Sequence, residues 1–499
     1  MAIPKVTQTI QDNSTGRVPE DTSAVTVVVG TCSSGTAETV YGPYEGADAI
    51  DDLVEQLVSS PAVKAAAFHL SQNGSAVYVV PVDTTGGTAA ALSAVTATAT
   101  GSATVAVSGT PKDDYEWKMV IITGGEFAVS TAKFSFDGGQ TYRAPITLSA
   151  SVTTYATETG ITFGITAGSG DDFVAGDYYT GTSTAAVATA ANYGDCIDAA
   201  VAEDFTFGVL HLVGMPAGAS DANKASAAAS RVATAQTKAA AAETSYCYIS
   251  VFNDSANVTN NASGDTDLVS AFASTEANRC FQGAGFLDTL DPIDETWQKR
   301  PVTWAAVSRA RQIAISEDPA FVGAIQGSLG SAVRIVRDIN GTKTLYLDSR
   351  RRSTLHNARF LTARTHKKLL GAYICGSLSM APVNSDFEKL PNRRVIDRAS
   401  ELTYAILVPK LNSTLRVNST TGRILEEDAQ SIETYANALL RAGLSGQCSG
   451  VTLIVNRTDN LVSSPVLRVR TLVVPFGYAE QIENTISFLN PALSLVSVA

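Results

Sequence analysis

Ala24-Val-Thr-Val-Val-Val-Gly30 is an almost unbroken apolar run closed by glycine. That is the pattern of a strand buried on both faces, since a half-exposed strand alternates apolar with polar residues. Residues 47–60 follow with Ile50, Leu53, Val54, Leu57 and Val58 on one helical stripe. Ala76-Val-Tyr-Val-Val80 is a second strand. Parallel strands need a long crossover, and the helix supplies it. The opening therefore predicts a β-α-β unit and a parallel sheet.

The pattern then stops. Residues 84–192 are rich in Thr, Gly, Ala and Ser, with short apolar runs at 119–123, 132–136, 142–148 and 161–166. Asp137-Gly138-Gly139 predicts a hairpin-like turn between two of them. This stretch reads as a small all-β domain. Strands at 205–213 and 246–252 then flank an Ala-rich helix capped by Ser220 and Asp221. Beyond Pro301, helices are expected at 304–315, 353–371, 392–411 and 426–441. Strands are expected at 334–339, 342–347 (around an Asn340-Gly341 turn), 451–455 and 466–474. The fold class is thus α/β (α+β) and multidomain. Residues 1–20 form an arm, 21–83 and 193–300 a discontinuous α/β domain, and 84–192 an inserted, outward-facing β-domain. Residues 301–478 form a mixed core domain and 479–499 a second arm.

Those arms are sticky by composition. Val6, Gln8 and Ile10 share one side of an extended segment, and Lys5 with no apolar stretch after it argues against a signal peptide. Tyr478-Ala-Glu-Gln-Ile-Glu-Asn-Thr-Ile-Ser-Phe-Leu-Asn490 and the residues after it have strong strand propensity. A bare strand edge pairs with another chain, so Thr485, Ile486, Ser487, Phe488 and Leu489 either complete their own sheet or add to a neighbour's.

Charge is uneven along the chain. Residues 1–293 hold 11 Lys and Arg against 31 Asp and Glu, whereas residues 294–416 hold 20 against 10. Such polarity suits association of unlike surfaces. The basic clusters include Arg350, Arg351 and Arg352, Arg359, Arg364, and Arg393 and Arg394 with Arg398. They lack interleaved aromatic platforms, so pairing with acidic subunit surfaces is favoured over nucleic-acid binding.

Catalytic signatures are missing. The four histidines are far apart, and His211 reads as a satisfied core residue. Neither a G-x-S-x-G elbow nor a Walker loop occurs. Gly283-Ala-Gly285 is a tight turn rather than a dinucleotide fingerprint. The Gly168–Asp172 stretch with Asp177 reads as a solvated acidic loop rather than a cation site. The six scattered cysteines read as buried small hydrophobes. No stretch spans a bilayer. The chain is expected to be a soluble, intracellularly made non-enzyme with no cofactor and no metal.

Arg300 to Arg311, Tyr346-Leu-Asp-Ser-Arg350, Leu355-His-Asn-Ala-Arg359-Phe360, Ser385-Asp386-Phe387, Arg393-Arg394-Val-Ile-Asp397 and Pro475 to Asn490 occur in that order. In this order they resemble contractile phage tail sheath proteins. The resemblance covers residues 301–490 well and 24–80 loosely. It implies a virion protein, assembled in the bacterial host cytoplasm as six-membered rings stacked around an inner tail tube. Contraction would drive the tube through the host envelope. Implied partners are further copies of the chain, the tube protein, and baseplate and tail-terminator proteins, with no direct nucleic acid. The resemblance also implies that both arms add strands to neighbouring subunits, with Arg350, Arg351, Arg352, Arg393 and Arg394 on a tube- or neighbour-facing basic face. Alternatives are a sheath of a genome-free injection particle, an α/β small-molecule enzyme, and a glycan-binding surface protein using the β insertion.

Overall fold

The computed structural model describes residues 21–149, 154–170, 172–259, 262–323, 332–337, 354–366, 369, 371–480 and 482–486. Its centre is a six-stranded sheet in the order Cys280–Gln282, Ser250–Asn253, Val209–Leu212, Thr26–Gly30, Val77–Pro81, Tyr41–Tyr44. The first five strands run parallel, with Thr26 opposite both Val209 and Val77, and only Tyr41–Tyr44 is antiparallel. Thr26–Gly30 is buried along its whole length. Val28 packs with Phe68 and Trp304 on one side, and Val27 and Val29 pack with Tyr193 and Val232 on the other. Helices on both faces are what make a continuous apolar strand stable.

The helix expected at 47–60 is Ala49–Leu57, and a second helix that was not expected, Pro61–Gln72, follows it. Pro61 forces the break, because the residue before a proline is pushed to extended backbone, and Ser60 sits at φ −163°, ψ 168°. Proline is then well placed in the first turn of the next helix.

Strands between Ala91 and Thr184 pair only with one another among the described residues. They enclose their own core of Trp117, Phe134, Phe163 and Tyr179. The turn after Thr131–Ser135 is wider than a tight hairpin. Asp137 organises it, accepting from the backbone N–H of Gln140 and Thr141 at 2.8 and 2.9 Å, before the chain returns at Ile146–Thr147. The acidic loop is solvent-exposed along residues 168–170, as expected, but its described carboxylates are not. Asp172 and Asp177 are each 6% exposed. Asp172 accepts from the Gly168 N–H, and Asp177 accepts from those of Thr100, Gly101 and Val174.

A buried ionic cluster joins this β unit to the helices. Lys64 Nζ lies 3.4, 3.0 and 2.7 Å from carboxylates of Asp113, Asp291 and Asp294. Arg300 grips Asp113 with both terminal nitrogens at 2.8 and 2.5 Å.

The division expected at 300/301 falls inside one packed unit. Trp297–Pro301 leads directly into the helix Val302–Gln312, whose Trp304 and Val307 belong to the core of the large sheet. A separate small core gathers Ile315, Val395, Leu402, Ile432, Leu440 and Leu453. The helix expected at 353–371 is also corrected. Among the described residues of that stretch, helical backbone covers only 354–357, and Arg359 has φ 72°. Leu361 instead exchanges backbone hydrogen bonds with Gln282 and Ala284 at 2.8 Å, and Ala363–Arg364 pairs with Tyr373–Ile374. Sheet pairing that buries Phe360 and Leu361 overrides local helix propensity. Thr342–Leu347 lies outside the described residues.

A chain of buried polar groups pins the helices to the sheet. Ser308 Oγ is 2.7 Å from His69 Nδ1, His69 Nε2 is 2.9 Å from His211 Nδ1, and His211 Nε2 is 3.0 Å from Asp254. Burial, then the neighbouring His211 and Arg311, holds the His69 pKa well below the ordinary value. The unfolded chain therefore binds a proton near pH 6.5 that the native state refuses, so this group's contribution to stability is full above that pH and falls below it. Asp397 and Asp114 are pushed up to about 7 and 6, by burial first, and act in the opposite sense. The difference between wild type and His69→Gln isolates the histidine. As pH drops from 7 to 5, wild type is expected to lose up to about 1.4 kcal/mol per pH unit relative to the variant. Parallel melting-temperature profiles for the two proteins would sink this assignment.

Candidate interaction surface

The Ser308–His69–His211–Asp254 chain has the residue types of a hydrolase but no approach for substrate. Its members are between 0% and 4% exposed. Among the described residues, no group of three or more His, Cys, Asp or Glu is placed to hold a metal ion. No helix among them is long and apolar enough to cross a membrane. Gly283 extends the pairing of Cys280–Gln282 by a parallel bridge to Leu361 rather than forming a tight turn, and the chain bends at Gly285, φ 119°; a Cβ on Gly283 would come within 2.7 Å of Ser255 Oγ.

The distinctive surface lies on the small core near the end of the chain. Gly450–Val455 and Val469–Val474 form a two-stranded antiparallel sheet, Val455 facing Val469 and Val451 facing Val473. Val451, Leu453 and Val455 pack on the helix Glu426–Gly443. Two strands alone have two outer edges, and an uncovered edge is a template for another strand.

The two edges differ chemically. Register and the Asn456 N–H to Arg468 O bond mean that Leu453 and Val455 turn their peptide groups outward on one edge, and Val469, Thr471 and Val473 do so on the other. The first edge is stoppered by side chains. Leu453 N–H donates to Asn437 Oδ1 at 2.7 Å, and Asn437 Nδ2 donates back to Leu453 O at 3.0 Å. Val455 N–H donates to Glu433 at 2.7 Å, while Arg457 donates to Val455 O at 2.7 Å. Arg457 also binds Glu426 and Glu433, fixing the stopper. Hydrogen bonds from Arg457 come first among the causes that lower the Glu433 pKa.

The second edge is open. The main-chain groups of Val469, Thr471 and Val473 have no partner among the described residues. Beside it runs a groove of about 380 Å³ lined by Thr471, Val473, Ala399, Tyr404, Tyr246 and Tyr248. Tyr246 and Tyr404 stack at 3.6 Å between ring centroids, yet remain 45% and 42% exposed. On the solvent face of the sheet, Ile454, Leu472 and Val474 are also exposed. Backbone donors and acceptors next to an apolar groove are the two elements of strand addition.

The residues expected from sequence fall as follows. Thr485 and Ile486 are exposed and outside any strand, Ile486 at 87%. Val6, Gln8, Ile10, Ser487, Phe488, Leu489, Arg350, Arg351 and Arg352 lie outside the described residues. Arg393 and Arg394 do not form an outward basic face, contrary to expectation. They are 5% and 6% exposed. Arg393 pairs with Glu243 and Asp397, and Asp397 also takes both terminal nitrogens of Arg279 at 3.0 and 2.9 Å. Burial lowers the Arg394 pKa to about 10. The open edge itself was missed. The alternation at 466–474 marked a strand, but no sequence signal marked which side would lack a partner.

No curated protein matches the sequence. Solved structures do match, and three of them do so over 98% of the chain. A chain of the anti-feeding prophage (AFP) baseplate matches at 12% identity, TM-score 0.50, over 100% of its own length. The AFP helical sheath in its contracted state matches at 13%, TM-score 0.52, over 99%. The PVC sheath complex of an extracellular contractile injection system, also contracted, matches at 9%, TM-score 0.52, over 98%. At these identities the likeness is one of fold, and it extends over essentially whole chains. A family model described as DUF2586, N-terminal domain, matches residues 3–377. The chain therefore belongs to the DUF2586 family and carries a sheath-type fold.

Proposed function

We propose that this protein is the repeating subunit of a contractile sheath, stacked as six-membered rings around an inner tube and contracting to drive that tube through a target envelope. The observation that carries the reading is the open edge of Val469–Val474 beside its tyrosine-lined groove, in a chain with a sheath-type fold. An arm from a neighbouring copy, either the segment holding Val6, Gln8 and Ile10 or that holding Thr485 to Leu489, adds as a third strand. Alternate side chains of the arm enter the groove. Arg350, Arg351 and Arg352 remain the basic groups proposed to face the tube or a neighbour, with tube, baseplate and tail-terminator proteins as further partners. The function is mechanical, not enzymatic.

The test is assembly. Purified protein viewed by negative stain is expected to form stacked rings or hollow tubes. Removal of Ser487 to Ala499 is expected to leave a folded monomer that forms none. Tubes of normal length from the truncated protein would remove that arm from the reading, and monodisperse wild type under every assembly condition would remove the reading itself. The same subunit would serve a genome-delivering tail in a virion or a genome-free injection particle. One solved neighbour belongs to an extracellular contractile injection system, and the presence of DNA in purified particles separates the two.

A further inference from the structure

The edge of Gly450–Val455 is closed by three side chains that together do the bonding of a strand. Asn437 and Glu433 lie one turn apart on the helix Glu426–Gly443, about 6 Å along its axis. Leu453 and Val455, two residues apart in the strand, are spaced by about 6.8 Å. That match lets Asn437 answer both main-chain groups of Leu453 while Glu433 accepts from the Val455 N–H. Arg457 takes the remaining place, on Val455 O, and its guanidinium also holds Glu426 and Glu433. Of the outward main-chain groups on this edge, only those of Val451 lack a partner among the described residues.

Folding alone does not ask for so complete a closure. Edge peptide groups at a surface are satisfied by water, and the opposite edge of the same sheet does without such cover. Charge adds a second barrier. Arg457 and Glu433 are only part-buried at the rim of the edge, and a strand arriving there would have to displace and desolvate them. Charged side chains are one of the ways in which sheets keep other strands off an edge. The residues that face out along the open edge are Val469, Thr471 and Val473, none of them charged.

We infer that Asn437, Glu433 and Arg457 form a plug that makes strand addition one-sided: an arm of a second copy adds from the Val469–Val474 edge, and the Gly450–Val455 edge is shut to it. The inference rests on the strand-addition reading above and gives it a direction. A bare edge pairs with whatever strand is at hand. With two bare edges, a subunit that carries sticky arms would receive strands on both sides of its sheet and cross-link at random. One open edge gives each sheet one side on which to receive, which is what an ordered array requires. The three residues act by exclusion and make no contact with the arm that docks.

Sedimentation of plugged and unplugged full-length protein tests this, both in wild type and in Thr471→Pro, which shuts the open edge. Asn437→Ala with Glu433→Ala removes the acceptors for both N–H groups, and alanine suits the helix. Arg457→Ala is the second unplugged variant, freeing Val455 O without touching the helix. Amide exchange at Leu453 and Val455 is expected to quicken roughly 2- to 10-fold in the double variant, the usual net worth of one hydrogen bond, with circular dichroism unchanged. In the Thr471→Pro background the unplugged proteins are expected to associate, their mass rising with concentration, where Thr471→Pro alone stays monomeric. In the wild-type background they are expected to give irregular aggregates in place of tubes. Glu433→Gln keeps an acceptor for the Val455 N–H and is expected to sediment like its parent. Unplugged proteins that sediment like their parents in both backgrounds overturn the plug, as does unchanged exchange at Leu453 and Val455. Thr471→Pro that polymerises by itself overturns strand addition at the open edge instead, and the mass gained on unplugging still decides whether the other edge was shut.

Discussion

Thr471→Pro is expected to leave a folded monomer that no longer polymerises. Thr471 is the middle of the three residues whose peptide groups face out along the open edge. Its N–H makes no bond within the sheet, so proline removes nothing from the fold itself. An outward-facing position on an edge strand is a setting in which proline is tolerated. Among the described residues, the Thr471 hydroxyl hydrogen-bonds only to Thr403, at 3.3 Å. An incoming strand loses a central hydrogen bond and meets the pyrrolidine ring, and every subunit of a polymer repeats the defect. Circular dichroism should match wild type while sedimentation shows only monomer. Tubes from Thr471→Pro would mean that arms dock elsewhere. Wild type given an excess of a peptide spanning residues 479–499, or one spanning 1–20, shows which arm the edge takes, since the correct peptide caps it.

The sheet at the centre was legible because burial on both faces leaves a sequence mark. An apolar run at 24–30, a helix and a second run admit few other folds. The helix Pro61–Gln72 was not legible, for the opposite reason. It is buried nearly all round, with Lys64 and His69 inside it and no polar face to give a period. The buried arginines were misread because a charged run usually marks a solvated or partner surface. Glu243, which pairs with Arg393, and Arg279, which shares Asp397 with it, arrive from segments far away in sequence, whereas Asp397 itself lies one helical turn on. The open edge shows a more general limit. Side-chain periodicity reports the faces of a strand, whereas edges are defined by main-chain groups that are the same in every residue. Hence the arms that could donate a strand were visible in sequence and the site that could accept one was not.

Asp113→Ala is expected to cost about 3 kcal/mol, the low end for breaking a buried ion pair. Asp113 is fully buried and is the carboxylate through which the β unit ion-pairs with Lys64 and Arg300 in the described cluster that also holds Asp291 and Asp294. Burial alone would raise its pKa, but Arg300 first and Lys64 next hold it down to about 2. A depressed carboxylate stabilises above its unfolded pKa, near 3.9, and loses that contribution as pH falls through the folded value. The ion pair is therefore intact across the neutral range. Its removal leaves Arg300 with Asp291 at 3.8 Å and the ring of Trp304 at 4.8 Å, which is why the loss sits at the low end. Excising residues 84–192 takes Asp113 away in the same stroke, so a deletion variant closed by a Gly/Ser linker should lose similar stability yet still stack, if stacking depends on the open edge and not on the β unit. The double variant Asp113→Leu with Arg300→Leu separates specific pairing from general damage. Replacing both charges with apolar groups should cost clearly less than the two single losses added together. Additive losses in denaturant melts would show that the two residues do not act as a pair, and that the β unit is held to the sheet by its apolar contacts instead.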